Sequence, residues 1–193
     1  MKKVGILGGT FDPPHIGHLL MAEEARMQMS LDEIWWMPNY LPPHKEKVSN
    51  TSNDDRLAMV NSMVGLHESF RLCDVELRRT GPSYTADTMD VLTKRYKDIQ
   101  FFFIMGEDSL ETLDQWHESE RLKSLVSFIV IPRPGYRRPR ENVSDGITVI
   151  DAPAVDISSS DIREAVAAGN MNRFLLTKEV YHVIKERRLY DDQ

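Results

Sequence analysis

The sequence predicts an α/β fold: a doubly wound, Rossmann-like parallel sheet of about six strands with a small helical C-terminal tail. Three observations carry that expectation. Short apolar runs alternate with segments of helical period, the pattern of βαβ units. A glycine pair, Gly8-Gly9, ends the first apolar run and leads straight into a helical segment. No internal repeat, low-complexity tract or linker interrupts the 193 residues, so one domain over 1–193 is expected.

Taken in order, the strand runs are Val4–Gly8, Glu33–Met37, Arg71–Val75, Gln100–Met105, Ser127–Pro132 and Thr148–Asp151. Most are rich in Val, Ile, Phe or Trp and bounded by Gly, Pro or Asp, as buried parallel strands are. Between them, residues recur at helical spacing: Ile16, Leu19, Leu20, Ala25 and Met29; Leu57, Val60 and Val64; Met89, Leu92 and Tyr96; Val180, Ile184 and Arg187. Gly169 follows a helix over Asp161–Ala168, where a left-handed cap belongs. Pro38 to Asn53 and Arg133 to Asp145 break the pattern and read as long loops over a site. In such sheets ligands bind outside the carboxyl ends of the strands.

Composition excludes several classes. Lys plus Arg total 24 against 30 Asp plus Glu, a net charge of −6, so no nucleic acid is expected as partner. Cys73 stands alone, which rules out an intrachain disulfide and a cysteine-rich zinc site and fits a reducing compartment. The stretch Val4–Leu7 is too short for a signal-peptide core, and no run approaches the ~18 residues of a spanning helix, so a cytoplasmic protein without a membrane partner is expected.

The segment Gly8-Gly9-Thr10-Phe11-Asp12-Pro13-Pro14-His15-Ile16-Gly17-His18 runs from the first strand into the first helix. Glycines let the backbone approach a ligand closely or take positive φ, and the helix N-terminus offers N–H groups and a positive dipole end. A phosphate suits that place. His15 and His18, three apart, share one helix face, and Gly17 removes bulk between them. Two histidines at this spacing without a third ligand make a poor zinc site, so no protein-held metal is expected. Late in the chain, Ser158 to Ser160 supply an N-cap for a helix carrying Ile162 and Val166, with Arg163 expected in its first turn. A cation there sits at the wrong end of the dipole, a mismatch removed if Arg163 and the first-turn amides hold a phosphate together.

Gly-Thr-Phe-Asp-Pro-x-His-x-Gly-His after a first strand resembles the nucleotidyltransferases of the His-x-Gly-His superfamily, and Ile157-Ser158-Ser159-Ser160-Asp161-Ile162-Arg163 resembles their second motif. Further stretches point to one branch, the bacterial nicotinate-mononucleotide adenylyltransferases. They are Pro38–Lys45, Ser83–Thr88, Met105-Gly106-Glu107-Asp108, Trp116-His117 and Pro132–Gly135. The likeness spans nearly the whole chain. His117 and Ser160 depart from it, standing where Tyr and Thr are common in the family.

The resemblance implies transfer of AMP from ATP to nicotinate mononucleotide, with Mg²⁺ held mainly by the ATP phosphates and water. His15, His18, Lys45 and Arg163 are then the catalytic residues. Gly8, Gly9, Thr10, Phe11, Gly106, Asp108, Arg133, Ile157, Ser158 and Ser159 would bind ATP. Thr85, Trp116 and His117 would bind the acceptor. The residues themselves agree. Gly106 and Asp108 follow a strand at its carboxyl end; Trp116 is a large ring among charged residues, suited to stack on a pyridinium; Thr85 lies where a helix should start. The phosphate monoester is already largely ionised at pH 7, with a second pKa of about 6, so the chemistry needs alignment and charge stabilisation rather than a base.

Two other classes compete. A dinucleotide-binding oxidoreductase or NAD sensor would want an acidic residue after the second strand, where this chain has Met37-Pro38-Asn39. An aminoacyl-tRNA synthetase fragment would need a more basic chain. The Arg137, Arg138, Arg140 cluster reads as a solvated loop, the sequence does not fix whether that cluster or His44 contacts phosphate, and the chain is compatible with a homodimer.

Overall fold

A computed structural model describes residues 1–40, 49, 51–79, 81–132, 146–153 and 155–191. The described elements follow in the order β1 (Lys2–Gly9), α1 (Ile16–Gln28), β2 (Glu33–Pro38), α2 (Asn53–Val64), β3 (Phe70–Leu72), α3 (Thr85–Arg95), β4 (Ile99–Gly106), α4 (Glu107–Thr112), α5 (Ser119–Leu125), β5 (Ser127–Ile131), β6 (Ile147–Val149), α6 (Ser159–Ala167) and α7 (Lys178–Glu186). Short 3₁₀ turns lie at Leu113–Gln115 and Arg173–Leu175.

The six strands form one sheet in the order β3-β2-β1-β4-β5-β6, and every pair is parallel. The order reverses between β1 and β4, so the crevice outside their carboxyl ends is the topological switch point. Gly9 pairs with Pro38 on one side, while Gly106 ends β4 beside Ile131 of β5.

Strand alternation divides the core into two layers. Leu7, Ile34, Trp36, Phe102, Ile104 and Ile129 face one side, where α1, α2, α6 and α7 supply Ala22, Ala25, Met59, Ile162, Val166 and Ile184. Val4, Ile6, Met37, Phe101, Phe103 and Val130 face the other, against Met89 and Leu92 of α3 and Leu122 of α5. Gly5 is packed so closely that an added Cβ would lie 2.8–2.9 Å from Ile34, Leu31 and Ile104.

The expected strands are all present, with shifted edges. The third occupies Phe70–Leu72 rather than 71–75, because after the Cys73 N–H reaches the Trp36 carbonyl at 2.8 Å the chain turns away. The sixth occupies Ile147–Val149 rather than 148–151, with one further ladder bond from Ile150 N–H to Val130. Both are edge strands, paired on one side only, so local sequence says least about where they stop. Helix faces also differ from the spacing. In α2 the buried stripe is Arg56, Met59, Val60 and Met63, not Leu57, Val60 and Val64. In α1 Gly17, Ala22 and Ala25 are buried, and Leu20 lines a cavity. Gly169 takes φ +70° after α6, the expected left-handed cap.

The expected loop over Arg133 to Asp145 lies outside the described residues, as does most of Pro38 to Asn53. No helix among the described residues is long and apolar enough to cross a membrane. Burial pushes the Cys73 thiol up to about 11, which removes it as a nucleophile at neutral pH.

Candidate active site

At the switch point lies a cavity of about 540 Å³, within the range of small-molecule sites. Its two ends differ in chemistry. One is built by the β1–α1 turn and the start of α6, the other by the carboxyl end of β4, the start of α3 and the segment around Trp116.

The β1–α1 turn is held from behind through its carbonyls. Asn39 N–H donates to Gly9 O at 3.0 Å, and Arg56 Nη1 donates to Thr10 O at 2.7 Å. Arg163 Nη1 donates to Asp12 O at 2.7 Å, and Ser159 Oγ to Pro13 O at 2.9 Å. In a trans peptide the N–H points opposite the carbonyl. Pinning the Gly9 and Thr10 carbonyls therefore turns the Thr10 and Phe11 amides the other way, and both residues line the cavity.

The residue at positive φ in this turn is Phe11, at φ 52°, and not Gly8 or Gly9. A non-glycine residue is uncommon there. The Phe11 ring repays the cost by packing 1% exposed, 5.4 Å from Trp36 and edge-on to His18 at 5.0 Å. Gly9 makes room for it, since a Cβ would meet that ring at 3.2 Å.

His15 caps α1 with an extended backbone and is 6% exposed. His18 Nδ1 accepts the His15 backbone N–H at 3.2 Å, which leaves the proton of the neutral ring on Nε2 as a donor. The two rings lie 3.8 Å apart. α1 has no acidic residue in its first turn, so its dipole is open to an anion. Gly17 is required by His15 itself, because a Cβ there would lie 2.9 Å from the imidazole Nδ1.

The second motif is placed as expected in part. Ser158 caps α6, its Oγ accepting from Asp161 N–H at 3.1 Å. Arg163, however, is the fifth residue of α6 and not in its first turn. Its guanidinium reaches back to the Asp12 carbonyl and to Ser160 Oγ at 3.1 Å, so the dipole mismatch is answered first by protein oxygens. Ile157 lines the same end of the cavity.

At the other end, Gly106 caps α4, with Asp108 in its first turn. Thr85 is the first residue of α3 and Tyr84 its cap, so the threonine is not the N-cap. Trp116 follows the 3₁₀ turn, stands edge-on to Phe103 with centroids 6.0 Å apart and donates Nε1–H to Thr112 Oγ1 at 3.3 Å. His117 stacks on Tyr84, centroids 4.1 Å and planes 31° apart, which ties the α3 start to the Trp116 segment. Arg121 reinforces the tie through ion pairs to Asp87 at 3.2 Å, to Asp90 at 3.0 Å and to Glu118.

Lys45 and Arg133, with His44 and the arginines at 137, 138 and 140, lie outside the described residues. The sequence reading missed Asp12, Asn39, Arg56, Glu76, Tyr84 and Tyr190. Arg56 is 4% exposed, and besides Thr10 O it donates to Asn39 O and Asn53 Oδ1, each at 2.6 Å. Burial lowers its pKa, opposed by the nearby Asp12 charge. An arginine on the apolar face of α2 was the available signal. Asn39, standing after β2, also supports the turn through its side chain, with Nδ2 donating to Thr10 Oγ1 at 3.3 Å.

A strand-to-helix turn that aims backbone amides and a helix N-terminus into a cavity at the switch point of a doubly wound sheet is the arrangement found in nucleotide-handling α/β enzymes. The cytidylyltransferase-like family model matches residues 6–165. Proteins of Bacillus pumilus and Shouchella clausii named "Probable nicotinate-nucleotide adenylyltransferase" are each 44% identical, covering 99% and 100% of this chain and 100% and 98% of their own. A solved structure titled Plasmodium falciparum nicotinic acid mononucleotide adenylyltransferase complexed with NaAD superposes with TM-score 0.85 at 21% identity, over 100% of this chain and 99% of that one. The chain belongs to the cytidylyltransferase-like family and, within it, to the nicotinate-nucleotide adenylyltransferases.

Gly17→Ala should leave the fold about as stable, the better helix propensity of Ala offsetting the shift forced on the buried His15 ring, yet displace His15. Turnover is expected to fall ~10-fold or more at unchanged melting temperature; full turnover would show that the His15 position is not critical. Glu76 gives a pH prediction. It is 4% exposed, accepts from Thr88 Oγ1 at 2.8 Å, and burial raises its pKa above the ordinary 4.5. A raised folded-state value means a stabilising contribution that is complete below the unfolded pKa and lost as pH rises through the folded one. Melting of Glu76→Gln minus wild type should therefore grow more positive from about pH 4 to about pH 8. A flat or falling difference would contradict the burial penalty.

Proposed function

We propose that this chain transfers the adenylyl group of ATP to nicotinate mononucleotide, releasing pyrophosphate and nicotinate adenine dinucleotide. The observation that carries the reading is a cavity with two unlike ends. At one end, backbone amides, a helix N-terminus and arginines suit a triphosphate; at the other, an indole and a helix start suit a flat ring bearing an anion. The names of the 44% identical relatives support it.

In this reading the nicotinate mononucleotide phosphate attacks the α-phosphorus of ATP, one P–O bond forms, and the bond to the β-phosphate oxygen breaks. The nucleophile carries its own charge, so no side chain removes a proton. His18 Nε2–H and His15 donate to oxygens on which charge grows, in the manner of preorganised donors. Arg163, Lys45 and the first-turn amides hold the departing phosphates, and Arg133 the nucleotide. Gly106 and Asp108 receive the adenosine. Thr85, Trp116 and His117 receive the acceptor. We place the reaction in the cytoplasm, in keeping with a lone buried cysteine.

Mg²⁺ fits this arrangement as a companion of ATP. The buried carboxylate at the phosphate end, Asp12, already accepts on both oxygens, from Tyr190 Oη at 2.6 Å and from Ser49 Oγ. Phosphate oxygens and water would therefore hold the ion, which when bound would supply charge neutralisation at the leaving pyrophosphate.

An amide in place of the acceptor's carboxylate would set donor against donor at the start of α3, leaving polar groups unpaired at about 1–3 kcal/mol each. Pyrophosphate release with the two mononucleotides should show ~10²-fold or greater preference in kcat/KM for nicotinate over nicotinamide. Trp116→Ala should raise KM for the pyridine nucleotide and leave that for ATP nearly unchanged. Equal use of acid and amide would remove the carboxylate pocket, and an effect confined to ATP would reverse the placement of the two bases.

A further inference from the structure

Tyr190 stands 178 positions from Asp12, yet its Oη donates to Asp12 Oδ1 at 2.6 Å. It is 4% exposed and belongs to the core layer beneath the phosphate end of the cavity. The other Asp12 oxygen accepts from Ser49 Oγ, and the Asp12 backbone carbonyl accepts from Arg163. One residue of the phosphate turn thus gathers a phenol, a hydroxyl and a guanidinium.

The path of the chain shows that this contact is built. After α7 the backbone takes positive φ at Arg188, 52°, and again at Tyr190, 70°. Two non-glycine residues in that region within three positions carry a cost that must be met by their surroundings. Leu189 N–H closes onto Ile184 O at 2.9 Å, and Arg187 is fixed to Asp55 of α2 at 2.7 Å. The bend delivers the phenol to Asp12.

We propose that Tyr190 is a positioning residue for the ATP phosphates, acting through Asp12. The inference rests on the functional reading above. A carboxylate 7% exposed beside a triphosphate site would repel its ligand if it turned toward it. Donors on both oxygens disperse that charge and keep the carboxylate behind the turn. Burial and the Asp12 charge push the Tyr190 phenol upward from its ordinary value, so it stays an O–H donor across the working pH range. With Tyr190→Phe the ring still fills its place, but one oxygen of Asp12 loses its donor, and the turn that presents the Thr10 and Phe11 amides loosens.

The test is steady-state kinetics of the full-length Tyr190→Phe enzyme, varying ATP and nicotinate mononucleotide separately, well below its melting temperature. KM for ATP should rise roughly fivefold or more, the loss of about one hydrogen bond, while KM for nicotinate mononucleotide stays within about twofold. Unchanged KM values for both substrates, whatever happens to kcat, would make Tyr190 a structural pin and overturn the proposal. If the variant does not fold, wild type supplies the reciprocal measurement. A non-hydrolysable ATP analogue alone should slow hydrogen exchange at the backbone amides of residues 187–191, and no slowing overturns the proposal. A wild type that makes no dinucleotide would sink the functional reading instead, and the exchange experiment would still decide the role of Tyr190.

Discussion

The site depends on how the carbonyls of the β1–α1 turn are satisfied. A turn that leaves a strand and enters a helix has backbone groups on both sides, and only one side can face a ligand. Here Asn39, Arg56, Arg163 and Ser159 take the carbonyls of Gly9, Thr10, Asp12 and Pro13. The donors come from the end of β2, from α2 and from α6, so three separated segments must be in place before the amides are correctly aimed. That makes the site a property of the whole fold.

The same contacts settle the local charge. The chain carries −6 overall, yet two buried guanidiniums, Arg56 and Arg163, stand against one carboxylate, Asp12, at the phosphate end. Each guanidinium is anchored by neutral oxygens, Arg56 by the Thr10 and Asn39 carbonyls and Asn53 Oδ1 and Arg163 by the Asp12 carbonyl and Ser160 Oγ. An incoming polyanion meets a positive field already fixed in place, which is the condition for electrostatic preorganisation. The other end is organised by ring contacts, Trp116 on Phe103 and His117 on Tyr84, which suits a ring-bearing ligand.

Much of this was legible in the sequence because it is local. The strand runs, the Gly8-Gly9 turn, the His15–His18 face, the Ser158 cap and the Gly169 cap each follow from a few consecutive residues. The rest was not, because it depends on which distant groups meet. Nothing around Tyr190 points to Asp12, and nothing at Asn39 says that its amide belongs to Thr10. Arg56 was hidden because the apolar spacing Leu57, Val60 and Val64 shares only Val60 with the buried stripe, Leu57 and Val64 each lying one position past Arg56 and Met63. The positive φ expected of a glycine fell to Phe11, whose ring needs the space Gly9 leaves. The helix dipole around Arg163 says nothing of the carbonyl 151 residues away that holds its guanidinium.

If the amides of the turn receive the ATP phosphates, backbone resonances show it most directly. Titrating ¹⁵N-labelled protein with a non-hydrolysable ATP analogue and Mg²⁺ should move the Thr10 and Phe11 amide signals strongly, saturating together with the Arg163 side-chain signal. If those amides stay still while other signals saturate, the phosphates bind elsewhere and the account of the turn is wrong.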